Sequence, residues 1–426
     1  MSIVCTRRLD RAPRFVVLLA MLMLVGCAGG STPATPTTTR IVTAPTPTNP
    51  TDIEAPTIVA TAEPTRSPAL EELLAPGPTL PAPDGFFFRN GDEIWYLPAD
   101  GAARPVIADR QVGPWAQTRD GARAALVTYR DEGRRRVEEL VIVGNDGAVS
   151  QPVYGQAPTS GAAADPGIRA LEWSWDGQAL ALVLDDGSVA TMRFGSDPFA
   201  TRPPLTPVDL PDDLPVPVEL AWAPSGAGVI YRIPADEGGS VLYVTPTGDR
   251  PHPVVAPNET SARTVRAFGW LPGRGRIAFI EDASVPGVRL PGSIFTVAPD
   301  GSLLELLVSS GRFAPAASIA SLAPSPDGRD LAFSVFVPDQ NGMLVFQSLW
   351  ILVIDSGELE QAPVESGYRV AELWWSAAGL VWRGVDRNTP IPAEGTPDTG
   401  DADFILGRYD AANDTTSIIF QSTLAE

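Results

Sequence analysis

The stretch LAPSPDGRDLAFSV, Leu322 to Val335, carries the signature on which the architecture rests. A Pro-Asp-Gly turn is followed at once by an apolar strand. Asp-Gly suits a tight turn because Gly takes positive φ freely and Asp tolerates it. The same arrangement occurs six more times. Gly85 precedes Phe86-Phe87-Phe88, and Asp120-Gly121 precedes Ala125-Leu126-Val127. Asp176-Gly177 precedes Leu180 to Val183, and Ser225-Gly226 precedes Val229-Ile230-Tyr231. Gly273-Arg274 precedes Ile277 to Ile280, and Ala378-Gly379 precedes Leu380-Val381-Trp382. In five copies a Trp stands just before the turn: Trp115, Trp173, Trp222, Trp270 and Trp375. It is read as packing between repeats.

A second pattern falls between these, a strand and then a turn. Ile94 to Leu97 leads to Asp100-Gly101, and Leu140 to Val143 leads to Asp146-Gly147. Val241 to Val244, Ile294 to Val297 and Leu349 to Leu352 behave alike, with weaker copies at 189–193 and 404–409. Each unit thus offers four strands, a to d, with short turns a–b and c–d. The turn positions 120, 176, 225, 274, 327 and 378 are 49 to 56 residues apart. Four-stranded units at that period predict an all-β chain, a β-propeller whose blades bury their faces against one another. Seven blades are expected, with six or eight as alternatives. The W-S-P-D-G-x-x-[IL]-A-F pattern resembles the WD40-like repeats of TolB-like propellers over roughly 80–426. The resemblance implies an exported, binding-type propeller.

The N-terminus is read differently. Arg7, Arg8, Arg11 and Arg14 precede the apolar run Phe15 to Val25, which is too short to span a bilayer. Leu24-Val25-Gly26-Cys27 follows and resembles a bacterial lipobox. Residues 1–26 are therefore expected to be a lipoprotein signal peptide, with Cys27 diacylated or triacylated after cleavage. Two or more acyl chains give stable anchoring. That places the chain on the outer side of a bacterial membrane. Residues 31–66 contain 12 Thr and 7 Pro, a composition that buries too little apolar surface to order itself. Residues 27–79 are read as a tether, 80–426 as the propeller. One short helix is expected after Ser67, with Pro68 in its first turn.

The chain carries a formal charge of −20, and all 31 basic residues are Arg. An acidic chain argues against nucleic acid, whose phosphates need a basic face. Once Cys5 leaves with the signal, Cys27 is the one remaining Cys, and His252 is the one His. Disulfides, zinc sites and Cys or Ser-His-Asp nucleophiles are excluded on that inventory or reduced to His252. No G-x-S-x-G and no Gly-rich phosphate loop occur, and no catalytic domain is expected beyond the last blade. No cofactor is expected. Paired carboxylates are the remaining route to catalysis: Asp185-Asp186, Asp212-Asp213 and Glu281-Asp282.

Loop length points elsewhere. The long segments are b–c connections (281–292, 386–403) and d–a connections (155–168, 196–217), which emerge on one face of a propeller. Residues 386–403 carry Asp386, Glu394, Asp398, Asp401 and Asp403 against one Arg, and 196–217 include Asp212 and Asp213. These are the candidate binding residues, for a protein or an envelope polymer. Arg134 to Arg136 lie on the same face among acids and are read as a self-neutralised hairpin tip. The expected function is a membrane-anchored, non-enzymatic binding or scaffold module. The alternatives are an envelope carbohydrate-active enzyme using paired acids, or an envelope-assembly factor.

Overall fold

The structure is a computed structural model. It describes residues 68–422, apart from 76–78, 133–134, 156–166, 196–198, 200–202, 211–214, 235–239, 247–250, 256–261, 286–287, 290–291 and 388–402. The lipobox residues Leu24 to Cys27 lie outside the described residues.

Seven antiparallel blades form a ring. Blade 3 runs Ile168–Trp173, Ala179–Leu184, Val189–Arg193 and Leu205–Val208 from strand a to strand d. Blade 4 runs Glu219–Trp222, Gly228–Pro234, Ser240–Pro246 and His252–Val255. Blade 5 is Ala262–Leu271, Arg276–Val285, Ser293–Val297 and Glu305–Val308. Blade 6 is Ser318–Pro324, Asp330–Pro338, Leu344–Val353 and Glu358–Ala362. Blade 7 is Tyr368–Ser376, Gly379–Asp386, Phe404–Asp410 and Thr415–Gln421. Blade 2 has Gln111–Gln117, Arg123–Glu132 and Arg135–Gly144, with its fourth strand reduced to bridges at Val149 and Tyr154. Blade 1 has three regular strands, Gly85–Asn90, Glu93–Pro98 and Arg104–Ile107. They stand in positions b, c and d, because the first follows directly on Asp84.

The ring arises from the period of a strand. Successive side chains of strand b point to opposite faces, and each face meets a different neighbour. Leu180 and Leu182 pack with blade 2, whereas Ala181 and Val183 pack with blade 4. Leu331, Phe333 and Val335 face blade 5, and Ala332 and Phe336 face blade 7. Blade 7 closes on blade 1 through Phe86, Phe88, Leu97, Val381, Phe404 and Leu406. That seam is aromatic: the Phe88 and Phe420 rings lie 4.9 Å apart, and Phe86 stacks on Trp374 at 5.7 Å. Ser422 donates to Asn90 across it at 2.7 Å.

The repeated turn has a local cause. In blade 6 the Ser325 hydroxyl donates to Asp327 at 2.7 Å and accepts from the Asp330 N–H at 2.9 Å, while Asp327 also accepts from the Arg329 N–H at 3.1 Å. Ser174 with Asp176 and Thr118 with Asp120 repeat this arrangement. The Ser or Thr, the Asp and the Gly are thus three parts of one device. Gly328 closes it at φ +70°, and a Cβ there would meet the Pro272 carbonyl oxygen at 1.9 Å. The turns of neighbouring blades therefore touch. Arg123 donates to the Gly177 carbonyl and Arg274 to the Gly328 carbonyl, each reaching the next blade.

The Trp residues do pack between blades. Trp222 Nε1–H donates to the Glu172 carbonyl at 3.2 Å, and Trp375 Nε1–H donates to the Ala323 carbonyl at 2.9 Å. The short helix forms at Pro68–Leu74, and its Leu70 and Leu73 are buried in the core shared by blades 3 to 5. The packed body therefore extends back to Pro68. From there the chain crosses the a–b turn face: the Leu80 N–H donates to the Pro326 carbonyl, and the Pro83 carbonyl accepts from Ala377. Among the described residues, no helix is long and apolar enough to cross a membrane.

Two expected loops are corrected. Residues 196–217 are not one d–a connection, because Leu205–Val208 pairs with Val189 to Met192 as strand d. The c–d link of blade 3 is therefore long, and 209–218 is the d–a link. Residues 281–292 are largely β-structure: strand b continues to Val285, pairs back to Ala262 to Val265, and meets Val288–Arg289.

Candidate functional site

The innermost strands enclose a cavity of about 370 Å³ on the ring axis. Its lining comes from every blade. Blade 2 supplies Trp115, Gln117 and Arg119, blade 3 Glu172, and blade 4 Glu219 and Ala221. Phe268, Leu322, Pro324, Trp374 and Trp375 come from blades 5 to 7, with Pro83 and Phe86 from the start of blade 1. Most lie near the C-terminal ends of strands a, so the cavity sits towards the a–b turns.

Local structure aims these groups. Leu171 and Trp173 are buried between blades, so Glu172, between them in an extended strand, points the other way, to the axis. Arg119 lies in the a–b turn of blade 2, its guanidinium 4.4 Å above the Trp175 ring. Trp175 is fixed in turn by donating to the Trp222 carbonyl at 3.1 Å. Glu219 is ion-paired with Arg232 at 3.0 Å. Gln117 accepts from the Phe87 N–H at 2.8 Å, tying blade 2 to blade 1.

The electrostatics are those of a part-desolvated site: Arg119 and Glu172 are both half-buried. Burial pushes the Glu172 carboxyl up to about 7; Arg119 opposes this and Glu219 adds to it. Burial also lowers the Arg119 guanidinium, against the attraction of Glu172. A carboxylate, a guanidinium and aromatic walls can hold a charged or amphiphilic ligand. Among the described residues, no group of three His, Cys, Asp or Glu side chains is placed to hold a metal ion.

The residues singled out from the sequence are distributed differently. Asp386 ends strand b of blade 7 and Asp403 immediately precedes strand c; both are exposed. Val385 faces Phe404 in the ladder, so the two acids flank the foot of the same b–c connection. Glu394, Asp398 and Asp401 in that connection, and Asp212 and Asp213, lie outside the described residues. Asp386 and Asp403 are at the opposite end of their blade from the a–b turns. Asp386 and Asp403 are therefore apart from the cavity.

The candidate acid pairs have other engagements. Asp185 pairs with Arg169 at 3.0 Å. Asp186 accepts from the Ser188 N–H and hydroxyl of its own turn, which holds its carboxyl below the usual range. Asp282 is buried against Arg266, and Glu281, its neighbour in strand b, points to the other face. His252 lies on the outermost strand of blade 4, opposite Val244. At the Arg hairpin, Arg136 sits over the Tyr129 ring at 3.8 Å and donates to Gln111 at 2.8 Å, so a ring and an amide hold it.

Sequence patterns alone do not single out Arg119, Glu172 and Glu219. The available signal is a charged residue inside an apolar innermost strand, as in Ala170-Leu171-Glu172-Trp173 and Val218-Glu219-Leu220-Ala221.

No protein-family model matches the chain, and no curated protein matches it by sequence. Solved structures do match. A putative TolB from Agrobacterium tumefaciens is 20% identical over 64% of this chain and 84% of its own, with a TM-score of 0.42. An oligogalacturonate lyase in complex with manganese is 13% identical over 80% of this chain and 85% of its own, with a TM-score of 0.49. A prolyl endopeptidase is 12% identical over 83% of this chain, with a TM-score of 0.53; the chain spans 51% of that enzyme's length. At such identities the likeness is one of fold alone, and the fold, read from its own blades, is a seven-bladed β-propeller.

Proposed function

We propose that this chain is a non-catalytic binding module, held by lipid on Cys27 to the outer side of a bacterial membrane and capturing a protein or envelope polymer. The observation that supports binding over hydrolysis is how the described sequence-adjacent carboxylates are used. Asp185 and Asp282 are held by Arg169 and Arg266, and Asp186 shapes its own turn. None is a second carboxyl set across a cleft, as glycoside hydrolysis requires. Some propellers of similar fold are enzymes, but the likeness to them carries no catalytic residue into this chain.

The test is capture from envelope extract by a fragment beginning at residue 64, compared with a variant in which Asp386, Glu394, Asp398, Asp401 and Asp403 are neutralised. Retention is expected to fall in the variant, and the difference to shrink in high salt, which screens exposed charges. Neutralising Asp100 and Asp300, at c–d turns, should leave retention intact. Equal retention by both variants, or cleavage of an envelope glycan by the fragment, would sink the reading.

A further inference from the structure

We propose that the axial cavity binds a small zwitterion, an α-amino acid or short peptide whose free carboxylate meets Arg119 and whose free ammonium meets Glu172. This rests on the binding-module reading and gives it a ligand chemistry at a second place on the ring. The observation is a pair of opposite charges that face one cavity without closing on each other. Three other half-buried or buried charge pairs do close: Arg232 with Glu219 at 3.0 Å, Arg383 with Glu372 at 3.1 Å, and Arg266 with Asp282. Arg119 and Glu172 influence each other electrostatically, yet among the described residues neither makes a hydrogen bond or ion pair through its side chain. Trp175 holds the guanidinium by its ring face, which leaves the in-plane N–H donors unused.

Two part-buried charges without protein partners are stabilised less than they are in bulk water. A ligand carrying both complementary charges satisfies them together, and a ligand carrying one leaves the other exposed to the same cost. A carboxylate suits the planar fork of Arg119. An ammonium suits Glu172, with Glu219 behind it adding negative potential and aromatic faces nearby adding cation–π attraction. Trp115, Trp374, Phe86 and Phe268 supply apolar walls for a side chain. A volume of about 370 Å³ is at the small end of ligand pockets, which suits an amino acid or dipeptide.

The test is titration calorimetry on the full chain in detergent, with Trp fluorescence as a second readout. The probes are L-phenylalanine, the dipeptide alanyl-phenylalanine, N-acetyl-phenylalanine and phenylalaninamide. One or both zwitterions should bind, and which one binds distinguishes amino acid from peptide. Capping either terminus should weaken binding at least tenfold. Arg119→Gln should abolish the penalty for the amide, and Glu172→Gln the penalty for the acetylated probe. The probe series on the unaltered protein stands even if a variant misfolds. Absence of zwitterion binding at millimolar concentration, or equal binding of all four probes, overturns the proposal. If the probes fail while the acidic loops still capture a partner, this site falls and the module reading stands.

Discussion

Glu172→Gln should make the propeller more stable at neutral and alkaline pH and change little in acid. The native carboxyl titrates near 7, against an ordinary value of 4.5, chiefly because burial penalises its charged form. A carboxyl whose value is raised on folding binds its proton more tightly in the native state. Its contribution is therefore fully present below about pH 4.5 and is lost as pH rises through about 7. Each pH decade between the two values is worth about 1.4 kcal/mol. That sets an upper bound of about 3 kcal/mol, and the part exposure of Glu172 reduces it to between about 1 and 3 kcal/mol. Gln is neutral throughout and has nearly the same shape. The assay is urea unfolding of both proteins from pH 4 to pH 8.5, followed by far-UV circular dichroism. Glu138 and Asp330, also raised by burial, cancel in the difference between the two proteins. The difference should grow in favour of the Gln variant between pH 4.5 and 7.5 and then level off. A flat difference, or one growing in favour of Glu172, would refute the argument that this carboxyl is desolvated at the axis.

Four further outcomes are expected. Gly328→Ala places a Cβ 1.9 Å from the Pro272 carbonyl oxygen at φ +70°, so it should cost more than about 2 kcal/mol in urea unfolding. Gly342→Ala, at φ +78° with open space around it, should cost only the backbone strain of about 1–2 kcal/mol. Phe88→Ala empties a fully buried site in the seam between blades 7 and 1 and should lower stability by about 3–5 kcal/mol; a loss below about 1 kcal/mol would show that the aromatic cluster does not hold the ring closed. Cys27→Ser should leave the chain unprocessed or free of the membrane; a membrane-bound, mature form that still incorporates labelled palmitate would defeat the lipid-anchor reading.

Much of this protein is legible one residue at a time. The turn device is local: Ser325, Asp327 and Gly328 lie within four positions, so the pattern that makes it stands in the sequence as a motif. Strand b is legible too, because both of its faces are buried and it reads as a continuous apolar run, as at Leu180 to Val183. Spacing of the turns that precede strand b then implies the number of blades, since one falls in each. The helix at Pro68 can be read, but not its docking, which depends on a groove made by blades 3 to 5. The ends of loops are harder. Residues 196–217 look like a connection because Leu205–Val208 is an outer strand paired on one side only, with two exposed residues among its four.

The cavity has no counterpart in any local pattern. Arg119, Glu172 and Glu219 come from three blades and are about 50 residues apart, so no motif relates them. Closure of the ring brings their innermost strands to one axis. Nor can alternation say which side chains of those strands face it. The a–b pairing is irregular between Val112 and Trp115, Ile168 and Ala170, Val265 and Ala267, Ile319 and Leu322, and Val370 and Glu372. Each such bulge shifts the parity of the strand and re-aims the side chains beyond it. Repeated blades are dictated by the chain alone, because short-range patterns of turn and strand encode each one. Which charges meet at the centre is settled by long-range packing, where bulged strands from different blades converge.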